Sequence, residues 1–297
     1  MAIFSNSLAS LVERVVRIPL KQTWYGGTAT GGSTSTLIDT NRYEKDDFFQ
    51  NTVPPARIYV VSTTDGQAPI GEERQVTDWV QSTGTATVGV NFSAPLASGD
   101  TYIFLSEYQW HEIREAINMA IDSVAKGAYI PRLDETITLE SSTYEYTIPD
   151  GFVTIHRVSM ADDNDDFPDP IPADQYKIVR GGAKPKLHLY RFPVDWRTPN
   201  HWYGNLWGGS DITANRILRI EGFSNQVKLV TAQDLCLLNP DFVCYQAAAY
   251  LHASRINQQA ADYDANRTQY QVCQDFADRY RRDTIVQFPP NTKKVEL

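Results

Sequence analysis

Asp162-Asp163-Asn164-Asp165-Asp166 is the densest run of potential metal ligands in the chain, and the chemistry it invites is calcium binding. Asp162, Asn164 and Asp166 stand at the spacing of the first three ligands of an EF-hand loop, which sets oxygens around a hard cation. The next position requires glycine for a sharp turn and holds Phe167, and the position for the bidentate glutamate holds Ala173. The run is therefore read as a solvated loop, or as an acidic patch of Asp162, Asp163, Asp165 and Asp166 turned toward a partner or a lumen.

Gly26-Gly27-Thr28-Ala29-Thr30-Gly31-Gly32-Ser33 has the glycine density of a phosphate cradle. A Walker loop needs Lys after its second glycine to neutralise phosphate, and Gly32 stands there, so a flexible linker is expected. His111, His156, His188, His201 and His252 never fall at a metal-ligand spacing. Nucleophile elbow, zinc signature and dinucleotide fingerprint are all missing from the sequence. No catalytic, metal or cofactor-binding residue is assigned, and no cofactor is expected. The residue types that do suggest a function suggest contact: Trp196, Trp202, Tyr203 and Trp207 lie in a long Trp-, Gly- and Asn-rich loop between two strands. Long loops in compact domains are often functional, and Trp and Tyr dominate interface hot spots. The alternative is an Ω-loop packed on its own sheet.

Composition bounds the rest. The 297 residues favour about two domains, and the 42% hydrophobic content suffices for a core in each. A formal net charge of -9 disfavours tight wrapping of nucleic acid, which needs clustered Lys and Arg, and leaves passive contact with DNA open. Cys236, Cys244 and Cys273 form no Cys-x-x-Cys pair and are read as reduced core residues. Glu13 and Arg14 interrupt the first apolar run, so a signal peptide fits poorly. Nothing approaches the roughly 18 to 20 apolar residues of a membrane span.

Periodicity supplies the elements. Leu8, Leu11, Val12, Val15 and Val16 make an amphipathic helix or arm within residues 1-27, packed on its own domain or on a neighbouring subunit. Alternation and short apolar runs over 28-105, including 57–62, 75–81 and 86–92, make a β module of roughly four or five strands, a barrel or sandwich. Ser106-Glu107-Tyr108-Gln109 has the form of a capping box and opens a helix with Trp110, Ile113, Ile117, Ala120, Ile121 and Val124 as its apolar stripe. A tight hairpin is expected about Ser141-Ser142, then strands near 152–160, 175–180, 186–192 and 217–223. The fold class is α+β: helix, β-meander and long C-terminal helix over 106-283, with the all-β module ahead of it.

Asn239-Pro240 marks the start of that last helix, Asn as cap and Pro at the first helical position, with Leu238 and Val243 as a hydrophobic staple. No Pro or Gly follows until Pro289, so one helix to about Arg282, roughly 60 Å long, is expected. Its first half belongs to a core. Its second half, where Tyr263, Tyr270 and Ala277, with Asn266, Cys273 and Tyr280, repeat at seven-residue spacing, is expected to meet another molecule. The tail over 284-297, with Phe288, Lys293 and Lys294, is expected to be extended and to pair with a strand edge or lie in a partner's groove.

In this order the elements resemble the head-to-tail connector, or neck adaptor, proteins of tailed bacteriophages. The resemblance is carried by Trp110 to Ala120, by Asp134-Glu135-Thr136-Ile137-Thr138-Leu139 and by Tyr144-Glu145-Tyr146-Thr147-Ile148-Pro149-Asp150-Gly151-Phe152. Leu187-His188-Leu189-Tyr190-Arg191-Phe192-Pro193, Leu218-Arg219-Ile220-Glu221-Gly222-Phe223 and the stretch from Asp241 to His252 complete it. The Trp-rich loop departs from the short connection usual in the family, and the β module is an addition that smaller adaptors lack. The resemblance implies a structural virion protein of the neck, assembled in the host cytoplasm, with no membrane role. Its copies would form a ring, twelve in number, between the portal protein and a tail terminator, tail tube or tail hub protein. Genomic DNA would pass through without specific binding. The alternatives are a baseplate or tail-fibre attachment protein whose β module binds a carbohydrate or another tail protein, and third, an enzyme with a scattered site.

Overall fold

The computed structural model describes residues 4–21, 25–67, 69–140, 143–161, 166–167, 170–190, 215–256, 263–285, 289 and 292–295. In chain order the elements are β1 (Asn6–Ser7), α1 (Leu8–Arg17), β2 (Tyr25–Thr28), β3 (Gly31–Gly32), β4 (Thr36–Ile38), β5 (Arg57–Ser62), β6 (Glu73–Val80), β7 (Thr85–Val88) and β8 (Thr101–Leu105). There follow α2 (Trp110–Val124), β9 (Tyr129–Thr138), β10 (Glu145–Thr147), β11 (Thr154–Met160), β12 (Tyr176–Val179), β13 (Lys186–Leu189) and β14 (Ile217–Asn225). The chain ends with β15 (Leu235–Cys236), α3 (Pro240–Arg255), α4 (Tyr263–Thr284) and β16 (Lys293–Lys294). The fold is α+β, and it packs into two units: residues 1–124 with 227–284, and residues 125–226 with 285–297.

In the first unit the β module is one antiparallel sheet of seven strands, ordered β2-β8-β5-β6-β7-β4-β3. The strands beyond the four or five expected come from the glycine-rich segment, which is not a linker. A Cβ on Gly27 would stand 2.6 Å from Tyr102 Oη, and one on Gly32 would stand 2.7 Å from Thr36 O, so the glycines serve close strand approach. The two end strands are consecutive in the chain, separated by Ala29 and Thr30, so the sheet curls on itself. Its hydrogen-bonded order stays open, and among the described residues there is no closed barrel. Aromatic rings fill the space it encloses. Phe49 stacks on Phe104 at 3.9 Å and meets Trp79 edge-on at 5.1 Å, beside Leu37, Ile58 and Val60.

The helices of this unit follow the expected stripes at their buried faces and differ at their ends. Ser7 caps α1, its Oγ accepting from the Ser10 N–H, and all five predicted apolar positions are buried. α1 packs on α2 and α3 of its own chain. α2 begins at Trp110, and the capping box at Ser106 is not used: the Glu112 carboxylate accepts from the Gln109 N–H at 2.8 Å, one turn later than expected. Asn239 caps α3 as its sequence indicates, with Oδ1 accepting from the Asp241 N–H at 2.9 Å.

The single rod expected from Asn239 to Arg282 is instead two helices. α3 ends at Arg255, and α4 returns antiparallel to it: Tyr245 stacks on Phe276 at 4.9 Å and on Tyr280 at 5.9 Å, while His252 Nδ1 lies 3.1 Å from Asn266 Oδ1. The cause is burial. A rod would leave Cys273 and Ala277 in water; folded back, they are 2% and 0% exposed, and Cys273 packs against Ala248 and Ala249. Small residues on both faces let the two backbones come close.

The second unit is a sandwich of a four-stranded sheet, β16-β11-β14-β9, and a three-stranded sheet, β10-β13-β12. The hairpin expected about Ser141-Ser142 does not form, and those two serines lie outside the described residues. β9 pairs with β14 and β10 pairs with β13, each antiparallel. Ile137 and Leu139 before the serines, and Tyr146 and Ile148 after them, do pack into the core while Tyr144 stays exposed, but β9 and β10 lie in different sheets, and a period-two pattern carries no information about the partner. Leu139, Phe152, Ile155, Val158, Leu187 and Leu218 lie in the shared core.

Candidate assembly surfaces

A tightly bonded charged cluster lies where β2 and β8 meet the turn after β4. Arg42 donates from Nε to Tyr102 Oη at 2.7 Å, from Nη2 to Gly26 O at 2.7 Å and from Nη1 to Glu44 Oε1 at 2.9 Å. Tyr102 in turn donates to Asp39 Oδ2 at 2.6 Å. The side chains of Arg42 and Asp39 are 10% and 5% exposed. Burial pulls the Arg42 pKa down, but Tyr102 and Glu44 outweigh it and raise the pKa. The Tyr102 hydroxyl is pushed up, first by burial and then by Asp39, against the opposing pull of Arg42. A cleft of about 590 Å³ adjoins the cluster, lined by Gly26, Asp39, Asn41, Arg42, Tyr43 and Glu44. Chemically the cluster is a clamp: a fixed cation polarises a phenol toward a carboxylate and ties β2 to β8. Sequence reasoning missed it because its partners are as many as 63 positions apart and no local spacing marks them.

The predicted contact residues fall in three classes. Trp196, Trp202, Tyr203, Trp207, Phe288, Asp162, Asp163 and Asp165 lie outside the described residues, and Asp166 is exposed. On α4 the repeat is real, but much of it faces α3 of the same chain. Tyr270 packs on the Ala248–Ala249–Cys273 cluster, Tyr280 stacks on Tyr245, and Tyr263 is 50% exposed. The tail positions Lys293 and Lys294 pair with β11 of the same chain, opposite Ile155 and Thr154. Lys293 Nζ donates to the carbonyls of Ala173 and Tyr176 and lies 3.9 Å from the centre of the Tyr176 ring. Burial lowers its pKa, against the opposing pull of Asp174. Arg180 donates to the Lys294 carbonyl, and Val295, 3% exposed, joins the sandwich core.

A surface that the sequence did not advertise precedes α3. Asn118 grips Leu229 twice, donating to its carbonyl at 2.9 Å and accepting from its N–H at 2.8 Å, and Asp234 accepts from the N–H groups of Val230 and Thr231. The loop so fixed shows Val227, Val230 and Leu235 to solvent at 78%, 64% and 53% exposure.

Among the described residues the histidines do not converge. His188 Nδ1 lies 3.3 Å from Glu145, His156 lies 3.9 Å from Glu221, His252 meets Asn266, His111 is exposed, and His201 is outside the described residues. Among the described residues no three His, Cys, Asp or Glu side chains group as a metal site, and no helix is long and apolar enough to cross a membrane. The three cysteines are buried thiols, as expected from their sequence context; burial pushes Cys236 and Cys273 each up to about 11.

A family model described as SU10 adaptor protein matches residues 75–290. The match begins inside β6, takes in α2, β9 to β14 and the α3–α4 hairpin, and ends before β16. No curated protein gives a match to the chain.

Proposed function

Because that match spans most of its length, the chain belongs to the SU10 adaptor protein family and is a phage structural protein; we propose that it forms a ring joining the portal to the tail. The family match is the observation that carries this reading. The ring is expected to hold twelve copies in the neck of the virion, with the portal on one side, a tail terminator, tube or hub protein on the other, and a channel for DNA. A net charge of -9 supports free passage, since a negative lumen repels phosphate and a basic one holds it by counterion release. Asp162, Asp163, Asp165 and Asp166 are the acidic patch proposed for that lumen or a partner, and Trp196, Trp202, Tyr203 and Trp207 are proposed as partner anchors. Tyr263 is the α4 tyrosine best placed to join them, being half exposed.

The test is to mix the purified protein with portal rings and examine the product by electron microscopy. A second ring stacked coaxially on the portal is expected; a portal that stays bare removes the reading. Trp202→Ala with Trp207→Ala should weaken that attachment and leave the melting temperature unchanged. A large drop in melting temperature would show the loop to be packed internally.

A further inference from the structure

We propose that the C-terminal strand is exchanged between copies of the chain, so that β16 of one subunit takes, on β11 of its neighbour, the place it holds here on its own β11. The inference rests on the ring reading, which supplies the neighbour. The seat for the strand is fully built. It comprises the β11 edge at Thr154 and Ile155, the Val153 carbonyl accepting from the Val295 N–H at 2.7 Å, the core pocket that buries Val295, and the Ala173 and Tyr176 carbonyls that receive Lys293. The segment that fits this seat belongs to every copy, and moving it to an identical seat on a neighbour preserves every one of those contacts.

Two further features favour exchange. The docked strand is only two residues long, so it can leave without opening the ladder between β11 and β14. Ile285 packs near Gly127 within the same unit, and the chain from Ile285 to Lys293 gives the strand a tether of at most about 26 to 29 Å. In a closed ring each subunit gives one strand and receives one, so no seat is left empty and each β11 keeps its edge partner. Exchange then raises the effective concentration of each subunit for its neighbour without a new contact surface.

Cysteines at facing positions test this directly. Thr154 and Lys294 are direct partners across the antiparallel pair, a separation that a disulfide can bridge, and the native cysteines are buried. The double variant Thr154→Cys, Lys294→Cys should close a disulfide on oxidation, which checks the seat. The decisive sample mixes the two single variants, one carrying Thr154→Cys and the other Lys294→Cys, assembled on portal rings before oxidation. A covalent dimer joining the two variants is expected, since only a strand in trans can bring those cysteines together. Rings that form without that dimer overturn the exchange and leave the ring reading standing. A bare portal in the same images sinks both. A double variant that folds like the parent but closes no disulfide removes the seat itself.

Discussion

In the β module the fastening is a side-chain cluster in the middle of the fold, with Arg42 bonded to Tyr102 across 60 positions and to Gly26 across 16. In the sandwich of the second unit it is a clasp at the end of the chain, where Lys293, Lys294 and Val295 close one edge. Both are small antiparallel structures with an edge to manage. The first places two strands consecutive in the chain at opposite ends of one curled sheet, and Arg42 ties one of them, β2, to β8. The second borrows a strand from far along the sequence. A pinned sheet has no part that can be removed alone, whereas a clasped one does, and only the latter offers a docking site that can change hands.

The largest effect expected from breaking this contrast is at Arg42. Arg42→Ala leaves Asp39 buried and Glu44 half-buried without their cation, and loss of one partner of a buried charged set costs about 3 to 5 kcal/mol. Urea unfolding should register that loss as a lower midpoint. A loss under about 1 kcal/mol would show the cluster to be no more than a surface pair.

Removing residues 292–297 comes next. Exposing the Val295 site and the β11 edge should cost about 1.5 to 3 kcal/mol, confined to the second unit. Hydrogen exchange should quicken at β11 and stay unchanged in the core around Phe49 and Trp79. A tail that only reached outward to a partner would leave both regions as they were.

These two fasteners were unequally legible. The tail was recognisable as extended, because Pro289-Pro290 cannot continue a helix. That its strand partner is its own β11 was not, since an edge strand is matched by backbone groups that every residue carries. The clamp was invisible altogether: Asp39, Arg42 and Glu44 read as ordinary turn residues until folding brings Tyr102 over them. Buried faces were easy by contrast. The stripes of α1 and α2 were correct residue by residue, because the period of an amphipathic helix is a local property. The last helix failed for a related reason. Periodicity showed which face of 263–284 needs cover, but not that the cover would be α3 folded back on it. Asp262, a residue type favoured just ahead of a helix, was the one cue to a fresh start at Tyr263.

The hairpin can be tested at its closest approach. Ala277 has 0% exposure on the face toward α3, so Ala277→Leu should overpack the contact and cost about 1 to 3 kcal/mol. Asp278→Ala, one position round on the exposed side, should change stability by no more than about 0.5 kcal/mol. Equal effects at the two positions would mean that α4 is held no more tightly than a free rod.

The smallest expected effect separates the two units by pH. Burial lowers the His156 pKa in the sandwich, with Glu221 opposing. A folded-state pKa below the unfolded value of about 6.5 gives stability that is present above that value and is lost as the pH falls through the folded value. In the first unit Glu73 is shifted the other way: burial raises its pKa, against the Trp110 N–H. Its contribution is present at low pH and is lost as the pH rises through the folded value. Lowering the pH from about 7 to about 5 should therefore loosen the sandwich slightly and leave the β module unchanged or slightly tighter. Site-resolved hydrogen exchange at the two pH values measures this, and His156→Gln should flatten the response of the sandwich alone. Parallel responses in both units, or a response of the sandwich that survives His156→Gln, would place the titration elsewhere.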